Sequence, residues 1–175
     1  MSGATQGLPR GDVREGQPVK ALLVVAPYYR EVADLLLAGA RAECEAWGAA
    51  VETAEVPGAL EIAPAIALAA RLGSFQAFVA LGCVLRGETT HYETVCQESA
   101  HGLTLLGLQG HAVGNGILTV ETLDQARARA GEGDKGGAAA AAALHLVRLQ
   151  RQWARPEKGL GFLRERFGTP GGASE

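Results

Sequence analysis

The sequence predicts an α/β fold: a four-stranded, doubly wound parallel sheet with helices on both faces, in a single domain. Three observations predict it. Short continuous apolar blocks, Ala21 to Ala26 and Ala77 to Leu81, stop at Pro27 and Gly82, as strands buried on both faces do. Between such blocks the apolar residues recur at spacings of three and four, the period of a half-buried helix. Strand and helix signals alternate along the chain, and right-handed helical crossovers between parallel strands satisfy that order most simply.

Residues 1–18 are rich in Gly, Gln, Pro and charge without apolar periodicity, and read as a mobile N-terminal arm that orders when something binds it. Residues 19–154 form the domain. After the first strand, Val32, Leu35, Leu36, Ala40, Cys44 and Trp47 mark one helix face, and Gly48 stops it. Val51 to Val56 is a strand, Pro57-Gly58 a turn, and about Leu60 to Leu72 a helix. The strand Ala77 to Leu81 leads into a polar loop, Gly82 to His91, and a helix from about His91 to Leu106. A strand ending near Leu118, a helix Leu123 to Ala130, a Gly-rich turn and an Ala-rich helix from about Gly137 to Trp153 complete the domain. Residues 155–175 form a tail with Leu160, Phe162, Leu163 and Phe167 among charges, enough for one short helical turn and assigned no role.

Composition narrows the function. At 175 residues, 47% apolar and 20% charged, the chain is a water-soluble globular domain. A net charge of -3 removes the basic footprint of a nucleic-acid binder, so an anionic ligand must be held locally. Cys44, Cys83 and Cys96 form no CxxC pair and are odd in number, which argues against a disulfide framework or structural zinc and suits a reducing cytoplasm. The opening residues have no basic start or apolar run, so no signal peptide is expected. No window reaches the roughly 18 apolar residues of a membrane span.

In doubly wound sheets ligands bind beyond the carboxyl ends of the strands, which directs attention to the loops there. Gly87-Glu88-Thr89-Thr90 aims backbone N–H groups at a helix entrance, a natural phosphate or carboxylate site, or a helix capped by Thr89 or Thr90. Glu88 stands where a Walker loop needs Lys. Gly131 to Gly136 spells GxGxxG but follows a helix, not a strand, so the dinucleotide reading fails on context. Arg129 and Lys135 there are ligand cations, or cations placed favourably at a helix end. His91 sits where a near-neutral imidazole can move protons, or can cap a helix. His101, His111 and His145 add no metal spacing. Cys83 and Cys96 read as small buried hydrophobes, and Glu61 as a ligand carboxylate or a helix-start acid.

Four segments, taken in order, carry a resemblance: Val56-Pro57-Gly58-Ala59-Leu60-Glu61-Ile62; Leu81-Gly82-Cys83-Val84-Leu85-Arg86-Gly87-Glu88-Thr89-Thr90-His91-Tyr92; Gly116-Ile117-Leu118-Thr119-Val120-Glu121; and Asp134-Lys135-Gly136. Together, over about residues 20 to 150, the chain resembles the lumazine synthase family of riboflavin biosynthesis. The resemblance implies a flavodoxin-like three-layer α/β/α sandwich, its sheet extended by a neighbour's N-terminal strand near Pro18. It implies a transferase that condenses 5-amino-6-(D-ribitylamino)uracil with 3,4-dihydroxy-2-butanone 4-phosphate to 6,7-dimethyl-8-ribityllumazine, with no cofactor or metal.

By the same resemblance His91 transfers protons, while Glu88, Thr89, Arg129 and Lys135 hold the phosphate. Tyr28, Ala59, Leu60, Glu61, Cys83, Val84, Leu85 and Asn115 contact the uracil and ribityl chain. The site is expected between subunits of a pentamer or an assembly of pentamers, with Asn115 and Arg129 from the neighbour, and a functional link to riboflavin synthase is implied. The chain departs from many members at Pro27-Tyr28-Tyr29, at Asn115 where Phe is common, at Leu60 and Ala63 where Phe and Pro are common, and in a Gly131 to Lys135 turn about two residues shorter. Competing readings are a non-catalytic flavin- or lumazine-binding shell of the same fold and an archaeal-type riboflavin synthase, neither of which has use for the phosphate residues.

Overall fold

A computed structural model describes residues 9–154 and builds them as β1 (Lys20–Val25), α1 (Arg30–Trp47), β2 (Ala50–Glu55), α2 (Ala59–Leu72), β3 (Ala77–Leu85), α3 (His91–Leu108), β4 (Val113–Val120), α4 (Leu123–Ala130) and α5 (Lys135–Ala154). The four strands form one all-parallel sheet in the order β2-β1-β3-β4, as the alternation predicts. Side chains of β1 alternate between the two faces. Ala21, Leu23 and Val25 join a core with α1, α4 and α5, whereas Leu22, Val24 and Ala26 join a smaller one with α2 and α3. Three layers result. Among the described residues no helix is long and apolar enough to cross a membrane.

The ends of β3 and β4 and the start of α5 differ from the sequence reading. β3 runs on through Gly82, Cys83, Val84 and Leu85, which the sequence assigns to a loop, because β4 continues beside it to Val120 rather than ending near Leu118. Gly82 pairs with Ile117 and Leu85 with Val120, and the Arg86 N–H donates to the Val120 carbonyl at 3.0 Å. Only Arg86 to Thr90 remains as loop. α5 starts at Lys135 rather than about Gly137. Its first turn is capped by Asp134, whose carboxylate accepts from the Gly137 N–H at 3.0 Å. Gly136 looks like a breaker but is needed inside the helix: a Cβ there would run into the Leu36 carbonyl of α1, so glycine lets the two helices touch.

Residues 9–18 of the expected arm lie along their own chain. Val13 is buried and donates to the Trp47 carbonyl at 3.0 Å, Arg10 pairs with Glu43 at 2.6 Å, and Arg151 donates to the carbonyls of Val13, Glu15 and Gln17. These contacts are with α1 and α5. The outer arm, residues 1–8, and the tail, residues 155–175, with its expected helical turn, lie outside the described residues.

Candidate active site

The carboxyl ends of β1, β2 and β3 open onto a cavity of about 460 Å³. Each strand delivers a short segment to its wall. From β1 come Tyr28 and Tyr29, edge-to-face with ring centroids 5.0 Å apart. Tyr28 is 77% exposed, an apolar ring left facing the opening, while Tyr29 is half-buried. From β2 come Pro57 and the entrance of α2, Gly58 to Glu61, where the first-turn carboxylate of Glu61 favours the helix dipole and still reaches the cavity. From β3 come Cys83, Val84 and Leu85, and from α3 come His91 and Val95. Burial pushes the Cys83 thiol up to about 11 and the Tyr29 hydroxyl upward, so both walls stay neutral at physiological pH.

Between β3 and α3 the loop Arg86 to Thr90 is exposed, and Thr90 caps α3 without a side-chain hydrogen bond. Glu88 and Thr89 stand on this loop outside the lining of the cavity. Arg86 is tied down. Its Nε donates to both carboxylate oxygens of Glu121 at 3.0 and 2.8 Å, its Nη1 donates to Glu93 at 2.5 Å, and its guanidinium lies 4.2 Å from the centre of the Tyr92 ring. Hydrogen bonds to Glu121 and then Glu93 raise its already high pKa further.

A second cavity, of about 260 Å³, opens beside β4 and takes Asn115, Gly116 to Thr119, Arg129 and Lys135. A Cβ at Gly114 would run into the Ala139 carbonyl of α5, and one at Gly116 would crowd Leu81 and the Ala80 carbonyl of β3 as well as Ala139. The Asn115 side-chain oxygen accepts from the Ile117 N–H at 2.9 Å, on the side of β4 where no strand pairs, which leaves its NH₂ as the group with donors to offer. The two arginines of α4 have separate tasks. Arg127 bridges Glu31 of α1 at 2.9 Å and Asp124 at 3.2 Å, and Glu31 foremost raises its pKa; Arg129 forms no ion pair among the described residues.

All but two of the sequence-selected residues fall into two groups, Glu88 and Thr89 lining neither cavity. Tyr28, Ala59, Leu60, Glu61, Cys83, Val84, Leu85 and His91 share the first cavity; Asn115, Arg129 and Lys135 share the second; no residue lines both. Sequence reasoning assigns no site role to Tyr29, Pro57, Gly58 or Val95, nor to Arg86 as a tie. Val95 is within its reach, four residues past His91 on one helix face; the partners of Arg86 are not.

The model of the family described as 6,7-dimethyl-8-ribityllumazine synthase matches residues 18–151. The chain belongs to that family. Relatives carrying the same description come from Jannaschia sp., 51% identical over 158 residues and covering 89% of this chain and 86% of the relative; from Sphingopyxis alaskensis, 54% identical over 134 residues, covering 75% and 95%; and from Azorhizobium caulinodans, 55% identical over 149 residues, covering 78% and 91%. In this member of the lumazine synthase family, the matched stretch takes in both cavities, from Tyr28 to Lys135, and the helix and strand ends that build them.

Proposed function

We infer that the chain is a 6,7-dimethyl-8-ribityllumazine synthase: it condenses 5-amino-6-(D-ribitylamino)uracil with 3,4-dihydroxy-2-butanone 4-phosphate, releasing phosphate and water, in riboflavin biosynthesis. The observation that carries the mechanism is the division of the site into two unlike cavities. The first offers a stacking ring at Tyr28, a carboxylate at Glu61 and an imidazole at His91, suited to a neutral heterocycle and a ribityl chain that presents hydroxyls. The second offers a guanidinium, an ammonium and an amide NH₂, suited to a phosphate ester.

The ring amine attacks the ketone and an imine forms with loss of water. Phosphate leaves as a proton departs from the neighbouring hydroxyl-bearing carbon, the resulting enol takes up a proton to become a ketone, and the ribitylamino nitrogen adds to that carbonyl and closes the ring with loss of a second water. His91 takes and returns the protons; Arg129 and Lys135, with the backbone donors at Glu88 and Thr89, hold the departing phosphate. Holding two reactants in one orientation supplies the larger share of the rate. No metal or cofactor is required. The product passes to riboflavin synthase, and with Cys44, Cys83 and Cys96 all unpaired the enzyme works in the reducing cytoplasm.

A complete site on this reading joins the first cavity of one copy to the second of its neighbour, in a pentamer or an assembly of pentamers; that the two cavities share no lining residue is compatible with such a division. Exposed Leu68 and Leu72 on α2, and Leu105 and Leu108 on α3, support such association. The test is absorbance-monitored turnover of the purified chain against a blank of the two substrates alone. Product well above the blank supports the synthase; tight binding of lumazine or riboflavin without turnover favours a binding shell of the same fold. Mixing Arg129→Ala with His91→Ala chains during refolding tests the shared site: two inactive variants regain activity together if each site draws on two chains.

A further inference from the structure

We propose that Arg86 is a positioning residue, and that its guanidinium sets the arrangement in which Gly87 to His91 meet the substrate phosphate. The proposal rests on the synthase reading. Arg86 is the last residue held by the sheet, through its N–H on the Val120 carbonyl, and the next four residues have no strand or helix to fix them. Its side chain then spans the gap. One arm of the fork grips Glu121 immediately after β4, the other grips Glu93 in the first turn of α3, and Tyr92 covers the face of the guanidinium.

Glu121 is itself anchored. Its N–H donates to the Gln125 side chain at 2.9 Å, while Thr122 caps α4 by accepting from the Gln125 N–H at 3.2 Å. Arg86 therefore ties the start of α3, which carries His91, to the start of α4, which carries Arg129 at its far end. A planar fork can hold two carboxylates at fixed angles; an ammonium cannot. Both carboxylates also neutralise Arg86, so its charge serves the loop and is not a further anion ligand. Glu93 is an acid in the first turn of α3, and Arg86 balances it just where free N–H groups must attract an anion.

Arg86→Ala and Arg86→Lys in the full-length protein test this. In Arg86→Ala, kcat is expected to fall and the KM for butanone phosphate to rise, each by about tenfold, the worth of one hydrogen bond to a charged group. The uracil KM stays within about twofold and the melting temperature within a few degrees, as suits a tie between exposed groups. Arg86→Lys recovers only part of the loss, since one ammonium cannot serve both Glu121 and Glu93. A substitution that only destabilised the fold would lower the active fraction and leave both KM values alone, and that result overturns the proposal. Hydrogen exchange at residues 87–95 gives a readout independent of turnover: Arg86→Ala should speed it there and not in α5. If the native chain itself makes no product, the synthase reading fails. Unchanged exchange at 87–95 refutes the tie whatever the activity.

Discussion

The two cavities lie within one domain but differ in chemistry. The Tyr28–His91 cavity is the larger and is walled by rings, aliphatic groups and a thiol held neutral by burial; its ionisable members, Glu61 and His91, are both exposed. The Asn115–Arg129–Lys135 cavity presents hydrogen-bond donors, two of them cationic. One suits a flat polar molecule that must exchange protons, the other an anion that must be gripped and then released. Within one chain neither has the other's parts. On the proposed reading, catalysis belongs to the contact between copies, and each chain contributes two unlike half-sites to two different active sites.

The largest effect is expected at His91. His91→Ala removes the proton carrier of the first cavity and should lower kcat by about 10² to 10⁴-fold, the range of general acid–base contributions, with both KM values little changed. Turnover that survives intact would take proton transfer away from this cavity and erase the contrast with the second. Arg129→Ala comes next. It should raise the KM for butanone phosphate by about tenfold to a hundredfold, the loss of a charge-assisted contact, and leave the uracil KM nearly alone. Equal effects on both KM values would show that the two cavities do not divide the substrates.

Asn115→Ala is expected to act more weakly. Its NH₂ is free to donate because the side-chain oxygen is occupied by the Ile117 N–H, so the loss is that of one neutral hydrogen bond, about twofold to tenfold in KM. Which KM moves sharpens the comparison: butanone phosphate places the amide with Arg129 and Lys135, uracil places it across from Tyr28. Neither moving would reduce Asn115 to a cap on an edge strand.

How far the sequence reveals this depends on how local each determinant is. β1 is legible because Ala21 to Ala26 is apolar without a break and ends at proline. The outer part of β3 is not, since Gly82 to Leu85 are strand only because β4 runs beside them, a pairing across more than thirty residues. The start of α5 is hidden by the same kind of contact: Gly136 weakens a helix on its own, and its advantage appears once Leu36 of α1 is seen against it. The site obeys this rule. Tyr28 and His91 stand at ends of elements where a sequence pass looks first, whereas the function of Arg86 depends on Glu121, which no local pattern connects to it. That Arg127 is tied to Glu31 while Arg129 is left to the cavity is equally invisible in the repeat Arg127-Ala128-Arg129-Ala130.

The smallest effect concerns Cys83, which lines the same cavity as His91 and would be its nucleophile if the chemistry were covalent. Burial raises its pKa to about 11, because a thiolate there would lose its water, and no cation offsets that loss. The neutral form is favoured by folding, so the stability it lends is complete below the ordinary thiol value of about 8.5 and is lost as pH rises toward 11. Site-resolved alkylation by iodoacetamide, with peptide mass spectrometry as the readout, should therefore be slow at pH 8 and still accelerating above pH 9, and kcat between pH 6 and 9 should carry no contribution from this thiol. A labelling midpoint near 8.5 would mean that the cavity wall is wetter than its packing implies, and the chemical contrast with the cationic cavity would shrink accordingly.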